Sequence, residues 1–140
     1  MHFDTDNKIF QLCSKGMMLE GEGKKTEALT LFQQAWDQAT NDIEKFTAAH
    51  YLARQQETIA GKLEWDQKAL QLALGIDDPG VKETYPSLYL NIAKGYEDLK
   101  DIENARKNYQ TAFSFTGQLR DDGYGKMIKS GIINGIERVR

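Results

Sequence analysis

The sequence predicts an all-α fold, an α-solenoid of antiparallel helical hairpins with about seven helices. Three observations lead there. Apolar residues recur at steps of three and four along most of the 140-residue chain, the spacing of a single buried helix face. Small residues such as Gly16, Ala28, Ala93 and Ala105 recur in step with bulky ones such as Phe32 and Tyr109, as when helices cross closely and rings fill the grooves beside the crossing. The breaks between helical stretches are short except for "GIDDPGVKETYP", which holds both prolines. A lone hairpin would leave much of its apolar surface wet, so hairpins of this kind are built to stack.

The first hairpin, residues 9–41, carries Leu12, Gly16, Leu19 and Gly23, then Ala28, Phe32, Ala35 and Trp36. The second, residues 43–75, offers Ala49, Leu52 and Ala53, then Leu63, Trp65, Ala69, Leu70 and Ala73. Its pattern is degraded: Lys62 stands where a small packing residue is expected, and Gln56 replaces an aromatic. The proline-containing stretch reads as a surface loop, with Pro86 in the first turn of the next helix. The third hairpin, residues 86–118, is the clearest. Tyr89, Ile92, Ala93, Tyr96 and Leu99 face one way on its first helix, and Ile102, Ala105, Tyr109, Ala112 and Phe113 on its second. Asp101 in the tight turn can accept from the free N–H groups of the second helix. Residues 121–139 form a last amphipathic helix through Tyr124, Met127, Ile128, Gly131, Ile132, Gly135, Ile136 and Val139. Asp121 and Asp122 at its start and Arg138 and Arg140 at its end suit the helix dipole. Such a helix would cap the last hairpin, and Gly131 and Gly135 would let it approach closely.

The pattern resembles the tetratricopeptide repeat (TPR), W-x₂-L-G-x₂-Y followed by A-x₃-F. Tyr89, Ile92, Ala93, Tyr96, Ala105, Tyr109 and Ala112 meet that spacing. Gly16, Leu19, Ala28, Phe32 and Ala35 meet it in the first copy, where Leu12 replaces the aromatic and Lys15 an apolar residue. Ala28 and Ala105 are 77 residues apart, room for one repeat between them plus an insertion. The chain is similar to a small bacterial-type member with about three repeats and a C-terminal capping helix, a single domain over residues 1–140.

The resemblance implies a non-catalytic interaction module or scaffold, whose first helices line a concave groove that holds a peptide segment or protein partner. Carried over by position, the groove face would show Cys13 and Met17, then His50 and Arg54, then Leu90, Asn91 and Lys94. His50, Arg54, Asn91 and Lys94 could grip an acidic or C-terminal segment through charge-assisted bonds. This partly resembles the carboxylate clamp of some family members, although the first repeat offers Cys13 and Met17 in place of basic and asparagine residues. These four could equally be ordinary solvated side chains. A second class of function is a structural homodimer that associates through a helix face, with Phe3, Phe10 and Phe115 as contributors.

Composition narrows the classes further. A net charge of −3 argues against general nucleic-acid binding. No run of eighteen apolar residues and no secretory h-region is present, and the single cysteine, Cys13, forms no internal disulfide, so the expected setting is the cytoplasm with no membrane association. "GEGKK" and "DDGYGKM" contain Gly-x-Gly-Lys, but Met18 and Arg120 stand where a phosphate-binding loop needs its first glycine, so both read as turns or helix starts. Two histidines and one cysteine offer no metal-ligand spacing, and no cofactor motif follows a strand. His50 is the one candidate base, and its nearest nucleophiles, Cys13 and Ser14, lie on another helix. No enzyme is expected.

Overall fold

The computed structural model describes residues 5–140, and the chain falls into two compact units, one ending at Ile76 and the other running from Asp77 to Arg140. Among the described residues there is no strand; seven helices of 13–16 residues, one single-turn α-helix and one 3₁₀ turn account for the regular structure. The expected all-α class is thus the observed one. Phe3 lies outside the described residues.

The amino-terminal unit contains α1 (Lys8–Gly21), α2 (Lys25–Gln38), α3 (Asp42–Arg54) and α4 (Ile59–Leu74). Side-chain caps start three of them: Asn7 accepts from the N–H groups of Ile9 and Phe10, Asn41 from Glu44, and Thr58 from Gly61. Between α1 and α2 the chain turns through Gly23 at φ +79°, and the Lys24 N–H donates to the Leu19 carbonyl at 2.9 Å, a Schellman closure that satisfies the helix end. "GEGKK" is this turn. The hairpin closes tightly because Gly16 has no side chain: a Cβ there would overlap the ring of Phe32, which is fully buried. Around Phe32 gather Ile9, Cys13, Ala28, Ala35, Ala48, Tyr51 and Leu52, with the Tyr51 ring stacked on Phe32 at 5.1 Å.

Because α2 runs antiparallel to both neighbours, α1 and α3 run parallel, and polar contacts pin them at both ends. At the amino-terminal end Asn7 Nδ2 donates to the buried Glu44 carboxylate at 2.9 Å, which also accepts from the Thr40 backbone N–H at 3.0 Å. These bonds, the Thr40 N–H foremost, hold the Glu44 carboxyl below its usual pKa. At the carboxyl end the Arg54 guanidinium donates to Glu20, 34 residues earlier.

The carboxy-terminal unit contains α5 (Pro79–Lys82), α6 (Tyr85–Asp98), α7 (Ile102–Ser114), a 3₁₀ turn (Thr116–Gln118) and α8 (Gly123–Arg138). The stretch expected to be loop thus holds a helical turn. Asp78 caps α5 by accepting from the Val81 N–H at 3.1 Å, Pro79 supplies the pre-set φ of a first helical residue, and Val81 is fully buried. Pro86 falls in the first turn of α6, and Asp101 caps α7 by accepting from Asn104, both as expected. Leu99, Ile102 and Phe113, expected on apolar faces, are exposed. Leu99 and Ile102 flank the hairpin tip, and Phe113 sits in the last turn of α7.

The last helix packs on both α6 and α7, turning in Gly125, Ile128, Ile132 and Gly135. A Cβ at Gly135 would overlap the Tyr109 ring, so the expected close approach is real there. Tyr109 is buried, and its hydroxyl donates to Glu97 at 2.6 Å. Arg138 reaches the same Glu97 carboxylate through two nitrogens at 2.8 and 3.1 Å. Arg138 follows Glu97 by 41 residues. Gly131 follows Leu90 by the same interval, and a Cβ on Gly131 would stand 3.3 Å from Leu90 Cδ2. Two contacts at one interval fix α6 and α8 as parallel neighbours. Within its unit α8 therefore stands to α6 as α3 stands to α1.

Candidate functional site

Each unit presents a pair of parallel first helices, and the residues expected to line a groove can be placed on them. On α1, Met17 is 39% exposed, whereas Cys13 is fully buried. Burial pushes the Cys13 thiol up to about 12, so it is protonated at neutral pH and belongs to the core, not to the groove. On α3 most residues are buried; Asp42, Lys45 and Arg54 are exposed, and Ile43 and His50 are half-buried. The His50 ring meets Tyr51 edge-on at 5.3 Å. Burial, with the positive charges of Arg54 and Lys62, lowers its pKa to about 4. At neutral pH His50 is therefore an uncharged ring with one N–H to give, and the expected cationic grip does not include it.

Arg54 is committed already. Its guanidinium pairs with Glu20 at 2.5 Å and lies over the Tyr51 ring, 5.5 Å from the centroid. Gln55, buried beside it, also donates to Glu20. The expected pair of His50 and Arg54 does share one helix face, but only Arg54 carries charge, and a carboxylate of the chain itself accepts from it.

In the carboxy-terminal unit the residues brought together on α6 are Leu90, Asn91 and Lys94. Leu90 is half-buried, packed with Ala93, Tyr109 and Ile136 on one side and against Gly131 on the other, so part of its surface is spent on packing. Asn91 is half-buried. Lys94 is exposed and pairs with Asp98 one turn on, at 2.7 Å. The self-association residues fare differently: Phe10 is buried, and Phe115 stacks on Tyr89 at 5.7 Å and meets Tyr85 edge-on at 5.4 Å.

Two side chains escaped the sequence reading as surface groups. Tyr124 and Met127 on α8 are 57% and 61% exposed. Spacing placed them on the apolar stripe, and spacing alone does not say where the neighbouring helix ends. The ionic signal was available in part, because Glu20 and Glu97 each stand four residues after a small crossing residue, Gly16 and Ala93. No helix of the described residues is long and apolar enough to cross a membrane.

No family model matches the chain, and no curated protein matches it. Among solved structures, the crystal structure of PcrH from Pseudomonas aeruginosa is similar, with a TM-score of 0.62 at 17% identity over 99% of this chain and 96% of that one. At this identity the likeness is one of fold, and the chain has the TPR-like helical-repeat fold that it shares with PcrH.

Proposed function

We propose that the chain is a non-catalytic helical-repeat scaffold that binds a segment of a protein partner along the exposed faces of its first helices. The observation that carries this reading is the parallel pairing of first helices within each unit, α1 with α3 and α6 with α8, held by Glu–Arg bridges. Such pairing aligns exposed side chains into stripes that an extended segment can follow. Catalysis finds little support in the chemistry of the described residues: the one thiol is buried and protonated, and burial keeps His50 uncharged with its pKa at about 4.

An acidic or C-terminal segment can use Arg54 in one unit or Lys94 in the other, through the N–H donors that Glu20 and Asp98 leave or by exchange with those carboxylates. The test is capture of partners by the wild-type chain and by the single variants Arg54→Ala and Lys94→Ala, at equal helicity and melting. Capture that weakens by about 1.5–3 kcal/mol for the arginine, and weakens further in salt, supports the acidic reading. Glu20→Gln, which frees Arg54, should then tighten the same capture. A partner held equally by all three proteins at all salt concentrations overturns the acidic segment. An apolar dimer face is the reading to test by light scattering on the eluted protein.

A further inference from the structure

We infer that a cleft between α2 and α4 is a site for the arginine side chain of a peptide segment, held by Asp37 and the side-chain oxygens around it. The cleft lies within the amino-terminal unit, on second helices that the proposed function leaves unused. Trp36 meets Trp65 edge-on at 5.0 Å and so joins the two helices, and a cleft of about 700 Å³ opens next to Trp65. Thr30, Gln33, Gln34, Asp37 and Gln38 recur at helical spacing, are all exposed, and form the α2 wall. Gln56, from the turn before α4, and Trp65 line it from the other side. Leu29 completes the lining with an apolar surface that packs on the core around Phe32.

The polar groups of this lining spend donors inside the chain. Thr30 Oγ1 donates to the Thr26 carbonyl, Gln33 Nε2 to Asp37 Oδ1 and Gln56 Nε2 to the Leu52 carbonyl, each at 3.1 Å. Their side-chain oxygens remain as acceptors. Asp37 is the one charged residue of the lining, and it is held by the neutral Gln33 amide, with no cation paired to it among the described residues. Next to the cleft, Lys68 Nζ lies 4.2 Å from the centre of the Trp65 ring and 3.5 Å from Glu64, so Trp65 already accepts a cation and the lysine charge is answered on its own helix. A carboxylate entering here would meet Asp37 and the free oxygens, whereas a donor-only cation is matched by both. Between the two cations of proteins, an ammonium is a point charge with three donors. A guanidinium has five donors in one plane, which can serve several oxygens at once, and flat faces to lay against Leu29 and Trp65. The volume falls in the ~300–1,000 Å³ range of clefts that enclose whole ligands, so it has room for the backbone on either side of the arginine.

The experiment uses full-length protein labelled at the indole nitrogens of its two tryptophans. The Trp65 resonance is identified by its loss in Trp65→Phe. The probes are acetyl-Gly-Ala-Arg-Ala-Gly-amide, the same peptide with lysine or glutamate in place of arginine, and methylguanidinium. The arginine peptide should move the Trp65 resonance, the lysine peptide should bind at least threefold more weakly, and the glutamate peptide should leave it in place. Asp37→Asn keeps an oxygen for Gln33 and lies on an exposed position, so it should hold the melting midpoint while weakening the arginine peptide at least fivefold. Silence of Trp65 toward the arginine peptide, or a response that Asp37→Asn leaves unchanged, overturns the site. Equal binding of the arginine and lysine peptides overturns the guanidinium assignment. Methylguanidinium binding as tightly as the arginine peptide overturns the segment and assigns the cleft to a free guanidinium compound. A Trp65 shift that follows protein concentration without any probe assigns it to a second copy of the chain instead.

Discussion

At the scale of single residues, the two hairpin turns show how much one backbone angle is worth. Gly23 and Lys100 occupy the same place in their hairpins, both with positive φ (79° and 66°), and both are followed by a residue whose N–H closes onto the helix at 2.9 Å. Glycine accepts that conformation freely, while a lysine Cβ crowds its own carbonyl. Lys100→Gly should therefore stabilise the protein by about 0.5–1 kcal/mol and raise its melting midpoint by a few degrees. A lower midpoint would mean that the lysine side chain contributes something the turn geometry does not show. His50 gives the second residue-scale expectation. Its folded pKa, about 4, lies below the unfolded value near 6.5, so between these pH values the unfolded chain binds more protons. Its contribution is intact above pH 6.5 and is lost as pH falls toward 4, on the order of 3 kcal/mol in all. Asp66, whose carboxyl is raised by burial, works in the opposite sense at the low end of this window. Denaturant melts of wild type and His50→Gln should differ by a constant amount above pH 7 and converge or cross between pH 6.5 and 4.5. Parallel curves throughout would place His50 in contact with water. Neither this neutral state nor the engagement of Arg54 could be read from "AAHYLAR", because burial and Glu20 are supplied by other helices.

Among the elements, helices were legible in proportion to their periodicity. The third hairpin announces itself because Tyr89, Ile92, Ala93, Tyr96, Ala105 and Tyr109 keep their spacing. The four-residue α5 does not, because a single turn has no period and its signal is the Asp78–Pro79 pair alone. Gly135 is a case where a sequence argument about close approach reaches the right residue: it sits against Tyr109, whose hydroxyl serves the Glu97–Arg138 bridge. That hydrogen-bonded arginine holds Glu97 down at about 2. Gly135→Ala should then cost about 1–3 kcal/mol by overpacking, measured as a shift in denaturant midpoint with unchanged slope. In a Tyr109→Leu background the same substitution should cost less, because the ring it meets is gone. An equal cost in both backgrounds would locate the damage in α8 itself.

For the molecule as a whole, one local plan occurs in each unit: a hairpin, then a further first helix laid parallel on the hairpin's own and bridged to it by glutamate and arginine. In the carboxy-terminal unit that further helix is α8, and its outer surface is largely polar. Removing residues 121–140 should uncover Tyr109, Ala112 and Leu90, with aggregation or loss of cooperative unfolding as the outcome seen in calorimetry and light scattering. A truncated protein that stays monomeric and melts as sharply would show that the hairpin needs no cover. The bridge spans 34 residues of sequence in one unit and 41 in the other, yet joins the same ends of the same kind of helix pair. Most of the difference is taken up by connections, the three residues 39–41 against the eight residues 115–122. Sequence length and spatial register are thus separately adjustable here. An epitope or a protease site inserted near Gly117 should leave Arg138 opposite Glu97, since a longer loop adds only slowly to closure entropy. One residue inserted inside α6 would swing every later side chain on that helix by about 100° and break the pairing at once.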